Sequence, residues 1–274
     1  MNSTTPWPFY TEPSFIDVHG LKTAFRRKGK GDVVMYLHGA GLTRRWLPFH
    51  EALSHNVDLI APEHPGYGDT PFPEWLDTFA DVAIHYAELL DLMDVGKVHL
   101  VGHSFGGWLA AEIAAFYPER LASLQLIAPA GLKDAFRHDI FRQTGDEIVA
   151  RLFNGNAAQY PDYLEEGDPV EATVHNYIES TTLARLAWQP RHDAKLERRL
   201  ARVKVPTQII LAEDDRVIDN AVAARYAGLI PGAQVVTIAN PGAPTTHLPF
   251  VQAPEALAAM ISAFVGRSKE QSHA

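Results

Sequence analysis

The chain has 274 residues, 46% of them apolar, with 24 basic and 33 acidic side chains for a formal charge of −9. This length suits one large α/β domain or a core with an insertion, and the acidic balance argues against nonspecific binding to nucleic acid or an anionic membrane. The absence of cysteine excludes disulfides, a thiolate nucleophile and thiolate metal sites.

In chain order, the opening MNSTTPWPFYTEPSF lacks a basic region followed by an apolar stretch, so no secretory signal is expected there. No apolar run reaches spanning length either, and a cytoplasmic location is the default expectation. SFIDVHG and LKTAFRRKG read as an edge hairpin turning at His19-Gly20. DVVMYLHG (32–39) is predicted to be a buried strand running into a glycine loop, followed by a short helix over 46–53 and the strand VDLIAP (57–62). PEHPGYGDTPFP is a loop by composition. A helix is predicted over 75–93, with Leu76, Phe79, Ala83, Tyr86, Ala87 and Leu90 along one side. Val98, Leu100 and Val101 belong to a strand, apolar residues from Trp108 to Phe116 recur at helical spacing, and LASLQLIAP (121–129) is a further strand. Strands alternating with helices of this length imply a parallel sheet covered on both faces.

The alternation stops over residues 131–203, where helical patches carry Phe136, Phe141, Phe153, Tyr160, Tyr163, Tyr177 and Trp188. This block is predicted to be a helical cap over the loops where the strands end, its underside supplying aromatic and aliphatic surface to a pocket. The rhythm resumes with the strand VPTQIILAEDD, a helix near 219–229, the strand AQVVTIAN and the helix PEALAAMISAFVG, leaving RSKEQSHA as a frayed tail. The expected organisation is a core over 1–130, a cap over 131–203 and the second part of the core over 204–274.

The stretch VHLVGHSFGGW carries the chemistry. GHSFG fits the G-x-S-x-G corner, in which a serine sits on a sharp strand-to-helix turn. Gly102, Gly106 and Gly107 remove side chains where the backbone must pass closely, which leaves Ser104 at the apex. A serine hydroxyl needs a base to take its proton and a third group to orient that base. For this corner the chain order is Ser, then Asp or Glu, then His. Downstream, the strand QIILA ends in Glu213-Asp214-Asp215, and the last strand leads to PGAPTTHLPF with His247. Both lie after strand C-termini, where open α/β sheets bind ligands. Asp215 is preferred as the acid over Asp214, with Glu213 third. An oxyanion needs donors fixed before it forms. The N–H of Phe105, next after the serine, supplies one, and the loop LHGAG (37–41) supplies the second through Ala40. His38 reads as an orienting residue for that loop. His38, His64 and His103 show no carboxylate-and-histidine ligand pattern, so no metal and no organic cofactor are expected.

The set LHGAG, PEHPGYGDT (62–70), GHSFGG (102–107), ILAEDDRVID (210–219) and THLPFVQAPE (246–255) resembles the cap-bearing branch of the α/β-hydrolase superfamily, over residues 14–267. The resemblance implies an α/β-hydrolase fold: a mostly parallel eight-stranded sheet, helices on both faces and a helical cap. It places the nucleophile on Ser104, the acid on Asp215, the base on His247 and the oxyanion donors on Phe105 and Ala40. Two positions depart from the usual pattern. Relatives commonly carry an aspartate and an arginine or leucine where this chain has Glu63-His64, with little consequence expected, and a glycine in place of Ala212. Alanine costs nothing there if its φ is negative.

The serine at the corner disfavours the dehalogenase and epoxide-hydrolase uses of such a fold, which require aspartate. A peptidase-like use needs an acidic cluster in the cap, which Glu165-Glu166 in a turn imitates poorly. The primary reading is hydrolysis of a small or medium, largely apolar carboxylic ester. The alternative is cleavage of a C–C bond in a ring-cleavage 1,5-diketone, whose enzymes typically carry a tryptophan beside the catalytic histidine where this chain has Thr246. A noncatalytic ligand-binding protein is the third reading, opposed by the intact Ser-His-Asp set. Arg185, Arg191, Lys195, Arg198, Arg199, Arg202 and Lys204 form a basic stretch. It reads as a solvated helix face, with an arginine reaching inward to a substrate carboxylate as the alternative. A small-molecule substrate is the only partner expected, with no nucleic acid and no membrane; monomer and homodimer both remain open.

Overall fold

The computed structural model describes residues 7–165, 167–240 and 242–272. Residues 1–6 of the opening segment and Glu166 of the acidic pair lie outside the described residues.

The chain opens with an antiparallel hairpin of β1 (Ser14–Val18) and β2 (Leu21–Gly29), which turns through His19 and Gly20, both at positive φ. There follow β3 (Val33–Leu37), α1 (Pro48–Ser54), β4 (Asp58–Pro62), α2 (Phe79–Leu92), β5 (Val98–His103), α3 (Phe105–Phe116) and β6 (Leu121–Ile127). Four helices then intervene: α4 (Gly145–Leu152), α5 (Pro161–Leu164), α6 (Pro169–Ala187) and α7 (Leu196–Leu200). The closing run is β7 (Thr207–Ala212), α8 (Ala221–Leu229), β8 (Gln234–Ile238), α9 (Pro249–Gln252) and α10 (Pro254–Ser272).

All eight strands form one sheet in the order β1-β2-β4-β3-β5-β6-β7-β8. Pairings from β4 onward along that order are parallel, and only the β1–β2 and β2–β4 pairs are antiparallel. Because side chains alternate along a strand, β3 sends Met35 and Leu37 to one face and Val34 and Tyr36 to the other. The first face packs under α2, α3, α7 and α8, and the second under α1, α9 and α10. Both faces are covered, as parallel sheets require.

Three local expectations are revised. The second helix begins at Phe79 rather than residue 75, because Thr78 and Asp81 form a reciprocal capping box that starts the helix there. The tail does not fray at residue 267: α10 continues to Ser272, with Ser268 buried and bonded back to the Phe264 carbonyl. The basic stretch is a solvated face in large part, with Arg185, Lys195, Arg198, Arg202 and Lys204 exposed, and the expectation is revised only at Arg199, which turns inward to protein carboxylates. α7 packs its Leu196 and Leu200 into the core beside α3, and Arg199 reaches the fully buried Glu112 at 2.7 Å and Asp193 at 2.9 Å. Arg202 donates to the Ala115 carbonyl, and Arg185 and Arg191 pair with Asp77 and Asp139. Burial pushes the Glu112 carboxyl up to about 7 against the pull of Arg199.

Ala212 is a strand residue outside the left-handed region, so replacing the usual glycine carries no backbone penalty. Of the cap aromatics, Phe153 is buried and stacks on Tyr160, and Tyr163 packs against Phe9; Tyr177 and Trp188 are exposed. Among the described residues, no helix is long and apolar enough to cross a membrane.

Candidate active site

β5 ends in His103, α3 begins at Phe105, and Ser104 forms the corner between them with φ 53° and ψ −113°. A non-glycine residue held there costs about 1–3 kcal/mol, so the neighbouring structure must impose it. It does so on both sides. The Ser104 N–H donates to the Ile127 carbonyl, and the Ser104 carbonyl accepts from Trp108 and Ala130. The glycines permit the corner by close approach: a Cβ on Gly102 would stand 2.3 Å from the Gly106 carbonyl oxygen, and one on Gly106 would stand 2.3 Å from the Leu37 and His38 oxygens.

The three residues selected from the sequence converge although 143 positions separate Ser104 from His247. His247 lies in the loop after β8, with Nε2 2.9 Å from Ser104 Oγ and Nδ1 2.8 Å from Asp215 Oδ2. All three are buried. An ionised carboxylate can only accept, so Nδ1 carries the ring proton and Nε2 presents a lone pair to the serine hydroxyl. Burial pushes Asp215 up, but the adjacent His247 and the N–H groups of Ile218 and Val217 outweigh it and hold the carboxyl below its ordinary range. Those two N–H groups both reach Asp215 Oδ1 at 2.8 Å.

The three neighbouring acids are separated by direction. Glu213 accepts from the N–H groups of Asn240 and Thr245 and so ties down the loop that leads to His247. Asp214 faces outward to Arg216 and Asn154. Asp215 alone faces the imidazole.

On the other side of Ser104 lies the loop after β3. A Cβ on Gly39 would meet Ser104 Cβ at 3.5 Å, so this backbone runs beside the hydroxyl. Ala40 follows on the exposed side of that loop, while Phe105 is buried at the first position of α3. The first N–H groups of a helix have no partner within it, which leaves the Phe105 N–H able to serve a ligand. His38 shows the orienting contacts anticipated for it: Nε2 accepts from the His64 N–H, and its carbonyl lies 2.8 Å from His64 Nε2. Burial lowers His38 to about 4, so it is neutral near pH 7. Glu63 is more consequential than the sequence suggests. Buried, it accepts from Arg26 and from the Arg44 and Asp69 N–H groups, which joins the loop after β3 to the loop after β4.

Sequence reasoning missed other supports. His103 Nε2 lies 2.8 Å from the His247 carbonyl, and burial lowers its pKa to about 3. The neutral ring therefore donates from Nε2 and braces the His247 loop; its position beside Ser104 in the motif was a visible signal. Arg137, from the segment after β6, donates Nε to the Asp215 carbonyl at 2.9 Å. Glu179, from α6, had no sequence signal at all. Among the described residues, no group of three or more histidine, cysteine, aspartate or glutamate side chains could hold a metal ion.

Residues 34–260 match the model of the Alpha/beta hydrolase family, and the chain belongs to that family. It is an enzyme of hydrolytic type acting on small organic substrates. Among curated relatives it is similar to the poly(3-hydroxyalkanoate) depolymerase of Ectopseudomonas oleovorans, 25% identical across 97% of this chain and 96% of that one. It is also similar to a monoacylglycerol lipase of Homo sapiens, 26% identical across 87% of this chain and 77% of that one. Among solved structures, a membrane phospholipase A described as a bacterial virulence factor superposes with a TM-score of 0.70 at 25% identity, covering 94% of this chain and 86% of that one. The enol-lactonase from Burkholderia xenovorans LB400 shares the fold, with a TM-score of 0.75 at 18% identity over 92% of this chain and 100% of that one.

Proposed function

We propose that the protein is a serine hydrolase of small or medium, largely apolar carboxylic esters, with Ser104 as nucleophile, His247 as base and Asp215 as the acid that orients it. The observation that carries this reading is the continuous Ser104–His247–Asp215 hydrogen-bond chain on a strained corner. Ser104 Oγ attacks the ester carbonyl as His247 Nε2 takes its proton. The carbonyl oxygen becomes an oxyanion, held by the N–H groups of Phe105 and Ala40. His247 returns the proton to the departing alkoxide, leaving an acyl-serine. Water then attacks, gives one proton to His247, and the serine leaves with that proton restored.

Support for ester cleavage comes from the relatives named as a monoacylglycerol lipase and a poly(3-hydroxyalkanoate) depolymerase, whose names denote esters of apolar acids. The pairing of Arg185, Arg191 and Arg199 with protein carboxylates supports a neutral rather than an anionic substrate. The cap is assigned to residues 131–203, with 1–130 and 204–274 forming the core; helices α4 to α6 supply its bulk.

A kinetic screen tests the assignment: neutral p-nitrophenyl esters against carboxylated esters and ring-cleavage dienoates. Neutral esters are expected to give the highest kcat/KM, and a fluorophosphonate is expected to label Ser104 alone. Faster C–C than ester cleavage, or labelling that survives Ser104→Ala, would overturn the reading.

A further inference from the structure

The loop after β3 is an unusual piece of backbone to find next to a nucleophile. Gly41, Leu42 and Arg44 all lie at positive φ, of 115°, 55° and 62°. Two non-glycine residues in that region persist only where surrounding contacts impose them. Arg44 is held from the core side, where its N–H donates to Glu63 Oε1 at 2.9 Å. Thr43, between the two strained residues, is held from the cap side. Its Oγ donates to Glu179 Oε1 on α6 at 2.6 Å. The same carboxylate oxygen accepts the Gly68 N–H at 3.0 Å. Glu63 and Glu179 thus stitch the same two loops from opposite sides, one fixed in the core and the other carried by the cap.

The seating of α6 gives that second stitch its meaning. The C-terminal half of the helix is anchored by apolar contact, with Ala187 buried and Leu183 and Leu186 packed against the core. The N-terminal half turns Val170, Val174, Tyr177 and Ile178 outward, where all four are exposed. Between the two, the inward side of the helix carries Glu179 and Thr182, both buried, and Thr182 Oγ donates to the Gly66 carbonyl at 3.1 Å. The middle of the helix is therefore seated on the two loops by directed polar bonds, which break over a fraction of an ångström.

We infer that Glu179 is a positioning residue which makes the geometry of the oxyanion loop depend on the seating of the cap. With α6 seated, Thr43 is pinned and the backbone three residues earlier, at Ala40, is set beside Ser104. With α6 lifted, the loop loses the Glu179 stitch, keeps those of Glu63 and Asp69 on Arg44, and relaxes from the strained path. The inference rests on the assignment of Ala40 and Phe105 as oxyanion donors and of Ser104 as nucleophile.

The test compares two inhibitors built on the acyl chain of the best ester: a trifluoromethyl ketone, which forms a hemiketal oxyanion on Ser104, and the methyl ketone, which binds as ground state. Glu179→Ala and Thr43→Val should each weaken the trifluoromethyl ketone by about ten-fold or more relative to the methyl ketone, lowering kcat with little change in KM. Glu179→Gln keeps an acceptor oxygen for both donors and should stay within about three-fold of the parent. The double variant should be no worse than Glu179→Ala within about two-fold, because the two residues act through one bond. An unchanged inhibitor ratio in Thr43→Val would overturn the inference, even if Glu179→Ala fails to fold. Additive losses in the double variant would also overturn it. Hemiketal formation in Ser104→Ala would instead sink the nucleophile assignment, a distinct outcome.

Discussion

Replacing Asp215 by asparagine should be far more damaging than its single-atom change suggests, and the structure says why. Asp215 Oδ1 accepts two backbone N–H groups, from Val217 and Ile218, while Oδ2 faces His247 Nδ1. In the asparagine variant only the amide oxygen can satisfy two N–H donors, so the NH₂ group must turn toward the imidazole. Nδ1 is then forced to accept, the ring proton moves to Nε2, and His247 meets Ser104 as a donor rather than as a base. The fold should persist because the Val217 and Ile218 N–H groups keep their acceptor and the side chain keeps its bond to the imidazole. The loss should approach the 10⁴-fold in kcat known for the same change in serine proteases, roughly 5.5 kcal/mol of barrier. Asp214→Asn is the control. Its side chain is 44% exposed and paired with Arg216, so its loss should cost no more than about 1 kcal/mol of stability and leave kcat within a few-fold. The assay is pre-steady-state hydrolysis of a p-nitrophenyl ester, with thermal melts to show that both variants are folded. Activity of Asp215→Asn within ten-fold of the parent, or equal damage from Asp214→Asn, would refute the reasoning.

Gly106→Ala and Gly228→Ala should shift stability in opposite directions. A Cβ at position 106 meets two backbone carbonyl oxygens at 2.3 Å, whereas one at 228, in α8, meets nothing within 4 Å. The first should cost about 1–3 kcal/mol or more, and the second should gain up to about 1 kcal/mol, both read from denaturant midpoints. Acid should destabilise the fold well above the carboxylate range. Burial lowers His38 and His85 to about 4 and His50 and His103 to about 3. Between those values and about 6.5 the unfolded chain binds protons that the folded chain refuses, so stability rises with pH and is lost as pH falls. Glu112, raised to about 7, and Glu63, also raised by burial, oppose this, while His64, lowered by burial, adds to it; the histidines outnumber the carboxyls, so stability still falls from pH 7 to pH 5. A urea midpoint that stays flat from pH 7 to pH 5 would contradict that account.

Much of the architecture was legible in the chain because it is written in local patterns. Alternation and helical periodicity mark the strands and helices near their observed places, and the doubly covered sheet follows from their order. The corner at Ser104 is legible too, because steric exclusion at Gly102 and Gly106 leaves a composition that few other structures need. Chain order and strand ends were sufficient to bring Asp215 and His247 to the same edge of the sheet. Where the reading failed, one cause was a local cap and the other was contact between distant segments. The start of α2 turned on a Thr78–Asp81 pair that outcompeted a longer apolar stripe. Arg199 looked like a solvated position until Glu112, 87 residues away, proved to lie beneath it.

The sequence by itself determined which side chains had the chemistry for acyl transfer and in which loops they stood. Only the tertiary structure decided how three adjacent acids divide their work, since direction at Glu213, Asp214 and Asp215 is set by partners at 240–247, 154 and 216. It alone placed His103 under His247 and Glu179 against Thr43. The physical reason is range. Periodicity and turn chemistry act over a few residues, whereas a hydrogen bond between Glu179 and a loop 136 positions earlier exists only after the sheet has been assembled and the cap laid over it.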